Sequence, residues 1–234
     1  MTYIFIKRFK MVYVCMFLMA IFFSESLYAV KTSDIKTRRI SMISFRNSVL
    51  LDIVGPLTVF SAANMFISKK SGNEAYEIEI LSEKKGPVRT FSGMKIISDN
   101  SYLNHSKKID TLLIAGGPGV EKASKNQKLL KYLKRKNKKV RRLGSICGGS
   151  LILAKAGLLK GKKATTHWSD IEKLIQSYPD IKVKTDINFI RDGHIYTSGG
   201  VMNGVQLALG LVEEDYGIEV AMKVAKLLEV IYEH

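Results

Sequence analysis

Apolar residues recur along this chain with two different spacings, one typical of β-strands and one typical of α-helices. Residues 39–45 and 76–82 alternate apolar and polar side chains, which is typical of β-strands. Short apolar runs at 112–115 and 143–146 indicate strands that are buried on both faces. The stretches between the strands carry apolar residues at helical spacing and predict helices over residues 57–68, 121–137, 150–156, 169–178, 202–214 and 218–232.

The order of these elements predicts the fold class. Strands and helices alternate over most of the length, which specifies an α/β domain with a mostly parallel sheet and helices on both faces. Residues 161–168 predict a further strand, and residues 188–197 predict a hairpin around the Asp192-Gly193 turn. Pro56 suits the first turn of a helix, so the residues before it are expected to form a loop.

Cys147 stands at the junction of a predicted strand and a predicted helix. The apolar run ends at this cysteine, Gly148 and Gly149 follow, and helical spacing begins at Ser150. A nucleophile at a sharp strand-to-helix turn is a nucleophile elbow. The N-terminus of a helix favours the thiolate form of a cysteine. The alternative interpretation is that Cys147 is a small buried hydrophobe.

Glycine-rich and polar residues follow two other predicted strands. The Gly116-Gly117 loop ends one of them, and His167 with Trp168 ends another. Open α/β sheets bind ligands at the carboxyl ends of their strands, so these residues are expected to border the same site as Cys147. The two glycines also fit a plain tight turn, and Trp168 also fits simple packing.

Asp52 lies in the loop predicted after the first strand. A carboxylate that reaches a thiol from such a loop suits proton transfer. The alternative role is a cap for the helix predicted to follow, although Asp52 lies further upstream than a regular N-cap residue.

The N-terminus has the pattern of a secretory signal peptide. Lys7, Arg8 and Lys10 precede an uncharged apolar run over residues 11–23, and Ala29 supplies a small residue at a cleavage site. The protein is therefore expected to be periplasmic or secreted, with an uncleaved membrane anchor as the alternative. The predicted organisation is a signal peptide or anchor at 1–29, a flexible lead-in at 30–37 and one domain at 38–234.

The charge balance is strongly basic. The formal net charge is +16, and removal of residues 1–29 would leave 34 basic and 20 acidic residues, a net charge of +14. Residues 131–142 contain eight basic side chains in twelve positions. No DNA-reading motif accompanies this run, so we expect a solvated surface and no nucleic acid, with attraction to an anionic membrane surface as a further option. The sequence has no metal-binding motif, and we expect neither a metal nor a cofactor.

Five motifs occur in the order that is found in the PfpI/ThiJ superfamily, and this resemblance covers about residues 38–232. The superfamily has a class I glutamine amidotransferase-like, flavodoxin-like fold. The chain is most similar to the isonitrile hydratase branch and to the ligand-sensing domain of AraC-type regulators. The motifs are Leu51-Asp-Ile-Val-Gly-Pro56, Ile114-Ala-Gly-Gly-Pro-Gly119, Ser145-Ile-Cys-Gly-Gly-Ser150, Ala164-Thr-Thr-His-Trp168 and Thr197-Ser-Gly-Gly-Val201.

The resemblance implies roles for individual residues. Cys147 would be the nucleophile, with Asp52 near its thiol. The backbone N–H groups of Gly117 and Gly148 would face the heteroatom of the reacting group, as in an oxyanion hole. His167 would border the pocket. The chain departs from the isonitrile hydratases at Gly148, where they usually carry threonine, so one hydroxyl group is missing.

Three functions follow as hypotheses. The first is a stand-alone, exported, cysteine-dependent hydro-lyase that resembles isonitrile hydratase and acts on a small molecule. The second is a non-catalytic small-molecule binding module related to the regulator domain. The third is a redox or carbonyl-stress protein in which Cys147 is oxidised or adducted. The resemblance also implies a homodimer.

Overall fold

A twisted, mostly parallel sheet forms the centre of the protein. The computed structural model describes residues 36–71 and 73–232. The strands are β1 Arg38–Ile43, β2 Tyr76–Ser82, β3 Gly86–Arg89, β4 Lys95–Ser98, β5 Asn100–Ser101, β6 Thr111–Ile114, β7 Arg142–Ser145, β8 Lys163–Ala164, β9 Lys182–Val183, β10 Phe189–Asp192 and β11 Ile195–Ser198.

The central sheet has the strand order β10-β11-β7-β6-β1-β2-β5. All its pairings are parallel except β10 with β11, which form the predicted hairpin. The run β2-β1-β6-β7-β11 has the 2-1-3-4-5 order of flavodoxin-like folds, so the predicted α/β class is confirmed. Strands β3 and β4 form a separate antiparallel hairpin around the turn at Gly93.

Two groups of helices cover the sheet. Helix α1 Leu50–Ser71 packs against α6 Val201–Tyr216 and α7 Ile218–Leu227. Helices α2 Val120–Ser124, α3 Gln127–Asn137 and α4 Gly149–Lys155 pack against one another, and α5 Ile171–Ser177 lies near the β8–β9 pair.

Alternate strand residues face the two helix groups, because side chains of a strand point to opposite faces. In β1, Ile43 joins the buried cluster that contains Leu129 and Leu133 of α3 and Leu151 of α4. Its neighbour Met42, which is also fully buried, faces the opposite side.

Helix α1 begins earlier than the sequence indicates. The predicted loop before Pro56 is wrong, because residues from Leu50 onward are helical and Pro56 lies inside the helix. Pro56 has no N–H to donate to the carbonyl group of Asp52, four residues earlier. Asp52 consequently occupies the first helical turn rather than a loop. The stretch Leu50–Ser68 is apolar and long enough to cross a membrane, but half of it is buried inside the protein, as in a core helix.

Other predicted elements also differ from the structure, and the helix predicted over 218–232 ends at Leu227. The helix predicted over 121–137 is two helices, because the Asn126 side chain accepts hydrogen bonds from the N–H groups of Lys128 and Leu129 and starts α3. The strand predicted over 161–168 is only the short β8, outside the central sheet. The N–H of Thr165 instead donates to the Thr197 hydroxyl at 2.8 Å. The predicted signal peptide lies outside the described residues.

Candidate active site

Cys147 forms a sharp turn between β7 and α4. Its φ angle is +55°, in the left-handed region that L-residues rarely adopt, so the backbone at this residue is strained. The surrounding structure holds this conformation: the N–H of Cys147 donates to the Gly199 carbonyl at 2.8 Å, and its carbonyl accepts from the Thr166 hydroxyl at 3.2 Å. The predicted nucleophile elbow is therefore present as a local conformation.

Gly116 allows the neighbouring loop to approach this turn. A Cβ atom at Gly116 would lie 2.6 Å from the Gly148 nitrogen and 2.7 Å from the Cys147 Cβ, which no real side chain tolerates. The loop after β6 therefore packs directly against the elbow, as the position of both at carboxyl ends of adjacent strands predicts.

Asp52 reaches the same place from the first turn of α1. It is fully buried, and its Oδ2 accepts a hydrogen bond from the Gly116 N–H at 3.0 Å. Among the described residues, Oδ1 has no donor of regular hydrogen-bond geometry. The Cys147 thiol lies beside this carboxyl group, so the structure brings together Asp52, Cys147 and Gly116.

The acid and the thiol shift each other's ionisation. Burial raises the pKa of Asp52 to about 6, against the opposing effect of hydrogen bonds from Gly116 and Cys147. Burial and the charge of Asp52 raise the pKa of Cys147 to about 12, although the Gly148 N–H donates to the sulfur and favours the thiolate. The helix N-terminus thus favours the thiolate as expected, but burial and the neighbouring acid outweigh this effect and raise the pKa of the thiol.

Asp170 is a residue of the site that sequence reasoning did not single out. Its Oδ2 lies 2.7 Å from the position that a Cβ atom of Gly148 would take. The Asp170 carboxylate thus lies where a threonine side chain at position 148, as implied by the resemblance, would have to be placed. The charge of this carboxylate also raises the pKa of Cys147. Twenty-two positions separate the two residues in the sequence, so only the tertiary fold reveals their contact.

The other predicted site residues, Gly117, His167 and Trp168, differ in their contacts and in their exposure. Gly117, with φ at +115°, packs against the backbone of Val49, where a Cβ atom would lie 2.7 Å from the nitrogen. His167 is half-buried, and its Nδ1 lies 2.7 Å from the Ser169 hydroxyl oxygen. Trp168 is 81% exposed, so it does not form a buried wall.

A cavity of about 850 Å³ opens at the carboxyl ends of β1 and β2, on the side of α2 and α3. Neither Cys147 nor Asp52 lines it. The thiol therefore lies in a tight site beside this cavity rather than on its wall.

Comparisons with known proteins agree on one family. Residues 38–214 match the DJ-1/PfpI family. The chain is 28% identical over 191 residues to an isonitrile hydratase of Pseudomonas putida, covering 82% of this chain and 78% of that protein. It is 34% identical over 153 residues to the HTH-type transcriptional regulator CdhR of Pseudomonas aeruginosa, covering 65% of this chain and 45% of the regulator.

Solved structures show the same fold. A THiJ/PfpI family protein from Pseudomonas syringae superposes with a TM-score of 0.75 and 25% identity, over 89% of this chain and 81% of that one. Drosophila melanogaster DJ-1beta superposes with a TM-score of 0.73 and 22% identity, over 84% of this chain and 100% of that one. With its elbow cysteine and its flavodoxin-like sheet, the chain belongs to the DJ-1/PfpI family.

Proposed function

We propose that this protein is a cysteine-dependent hydro-lyase that resembles isonitrile hydratase. The observation that carries the proposal is the buried pair of Asp52 and Cys147 at the elbow, with the carboxyl group held by the Gly116 N–H at 3.0 Å. Such a pair supplies a nucleophile and a proton-handling group within reach of one substrate carbon.

The reaction proposed is the hydration of an isonitrile, R–NC, to a formamide, R–NH–CHO. Sulfur bonds to the terminal carbon and that carbon gains the thiol proton, which gives R–N=CH–S–Cys147. Water then adds to the same carbon, the nitrogen gains a proton, and the carbon–sulfur bond breaks. Cys147 recovers its proton, so atoms balance and no oxidant or cofactor is consumed.

Asp52 is proposed to move the protons. With a pKa of about 6, its carboxyl group is near the range in which one group both takes and returns a proton at neutral pH. Its Oδ1, which lacks a regular donor among the described residues, is the atom proposed to accept the thiol proton. The Gly148 N–H, which faces the sulfur, then stabilises negative charge on that atom.

The test is a formamide assay on the purified full chain with an aryl isonitrile. We expect turnover in the wild type and its loss in Cys147→Ala and Asp52→Asn. Met222→Ala, at a 47% exposed residue of α7 outside the site, is the control and should retain activity. Absence of turnover in a wild type whose Cys147 is a reduced thiol would contradict the proposal.

The second candidate function is a non-catalytic module that binds a small molecule. The observation that favours it is the pKa of Cys147, raised to about 12 by burial, which keeps the group a neutral thiol at pH 7. The chain also spans about half the length of the regulator CdhR that it matches, 45% of it. The same raised pKa weighs against the redox function, because oxidation follows thiolate character.

Export and membrane association are further proposals. They rest on the basic and apolar pattern of residues 1–29 and on the net charge of +16. N-terminal sequencing of protein recovered from the producing cells should find Val30 as the first residue. An intact Met1 end in the membrane fraction would support the anchor instead.

A further inference from the structure

We propose that the 850 Å³ cavity is a binding site for a small soluble molecule that joins an apolar body to an anionic head. It lies between the loop after β1, the turn from β2 to β3, and the α2–α3 pair. The proposal goes beyond the hydro-lyase function, because the cavity does not include the thiol.

The floor of the cavity is apolar. Ile43, Leu129 and Tyr102 lie beneath it and are at most 2% exposed, and the half-buried Phe45 and the exposed Pro87 supply accessible apolar surface. Its volume falls within the range of about 300–1,000 Å³ that is typical of small-molecule sites. A floor of this kind favours an apolar body and offers few partners to a sugar or another strongly polar molecule.

The rim carries an excess of positive charge. Arg46, Lys84, Arg89 and Lys122 line the cavity, and among the described residues none of them forms an ion pair. Glu83 is the acidic residue of the lining, and Lys128 lies 3.6 Å from it. The cations therefore remain available for a carboxylate, sulfonate or phosphate head group.

The position of the cavity in the fold agrees with a ligand site. It adjoins the carboxyl ends of β1 and β2, where open α/β sheets bind their ligands. The backbone of Arg46 packs on Gly119, where a Cβ atom would lie 2.1 Å from the Arg46 carbonyl oxygen. The backbone of Arg46 is thus held against the start of α2, whose Val120 faces Gly148 on the other side.

The experiment is isothermal titration of the full chain with decanoate and with decanamide, which has the same apolar chain but no charge. The rim variant is Arg46→Gln with Arg89→Gln. The matched control is Lys184→Gln with Lys226→Gln, which removes the same charge from exposed residues outside the cavity. Ala123→Met fills the floor and leaves every charge in place.

We expect decanoate to bind and the rim variant to weaken this binding at least tenfold, while the control changes it less than twofold. Decanamide should bind more weakly and should not respond to the rim variant, and Ala123→Met should weaken both ligands. Lack of decanoate binding, equal affinity for decanamide, or an equal loss in the control variant would overturn the proposal. None of these outcomes depends on isonitrile turnover, so the two proposals can fail separately.

Discussion

At the scale of single residues, the pKa of Cys147 is controlled in part by two neighbouring acidic side chains. Asp52 and Asp170 both raise the pKa of its thiol, beyond the effect of burial. The strained backbone at Cys147, with φ at +55°, holds the sulfur between these carboxyl groups and the N–H of Gly148. The resting site therefore stores its proton on sulfur rather than on a neighbouring base.

Replacing Asp52 by asparagine should lower the pKa of Cys147 below about 12, because one of the charges that raise it is removed. The rate of alkylation by iodoacetamide, followed against pH, measures this change. Asp170→Asn should act in the same direction with a smaller effect, since its influence on the thiol ranks below that of Asp52. An unchanged alkylation profile in both variants would contradict the assigned electrostatics.

The same Asp52→Asn variant should be more stable than the wild type, but only above a certain pH. The raised pKa means that folded Asp52 binds its proton more tightly than unfolded Asp52. Wild-type stability therefore falls as pH rises from about 4 to about 6. We expect equal unfolding free energies at pH 4 and a gain of about 1–3 kcal/mol for the variant at pH 8. Urea unfolding at both pH values tests this, and a pH-independent difference would contradict it.

Replacing Gly148 by threonine adds the side chain that the resemblance to isonitrile hydratases implies at this position. The new Cβ atom would lie 2.7 Å from Asp170 Oδ2, so the Asp170 side chain must rotate away. We expect a loss of about 1–2 kcal/mol in stability. The loss should largely disappear in an Asp170→Ala background, which a double-mutant cycle by urea unfolding measures. An undiminished loss in that background would place the strain elsewhere.

At the scale of elements, the sequence predicted the features that depend on residues close together in the chain. The elbow, the β10–β11 hairpin and the alternation of strands and helices all follow from neighbouring residues. The start of α1 did not, since Pro56 favours a helix start, whereas the helix in the structure begins six residues earlier, at Leu50. The contact of Asp170 with Gly148 also had no local pattern, because the fold alone brings them together.

A buried ion-pair network joins α6 to two strands at the amino ends of the sheet. Asp215 lies 2.9 Å from Arg142, 2.8 Å from Arg141 and 3.6 Å from Arg38. The Asp215 and Arg142 side chains are 1% and 3% exposed. Hydrogen bonds from the arginines hold the pKa of Asp215 below its usual value, against the cost of burial.

Asp215→Asn should cost about 3 kcal/mol at pH 7, the lower end of the range for breaking a buried ion pair, because Arg142 loses one carboxylate partner and keeps Glu214 at 2.7 Å. The lowered pKa means that the contribution of Asp215 is complete above about pH 4 and is lost as pH falls below that. Urea unfolding at pH 7 and at pH 3 should therefore show a shrinking difference. Asp180→Asn, whose 63% exposed carboxylate pairs with Lys160, is the control and should cost less than about 1 kcal/mol.

At the scale of the whole molecule, exposed apolar residues gather on the β3–β4 hairpin. Phe91, Met94 and Ile97 are 63%, 56% and 60% exposed, and Leu51 at the start of α1 is 51% exposed. The N–H of Phe91 donates to the Ser48 carbonyl at 2.9 Å, which holds the hairpin beside α1. Such a surface is suited to burial against a second copy of the chain.

We therefore expect a homodimer in solution, and Phe91→Glu should convert it to a monomer, because a charge would be buried in an apolar interface. Sedimentation equilibrium measures the mass. Ile231→Glu, at an 81% exposed apolar residue outside the hairpin, should leave the dimer intact. A wild type that sediments as a monomer would contradict this prediction.

The two borders of the central sheet differ from its middle. At one border β5 contributes only Asn100 and Ser101, and at the other β10 runs antiparallel and carries Arg191 and Asp192. A border that is very short or charged offers a poor template for strands of other molecules. Borders of this kind disfavour edge-to-edge pairing with other molecules, which is the step that begins aggregation into β-rich fibres.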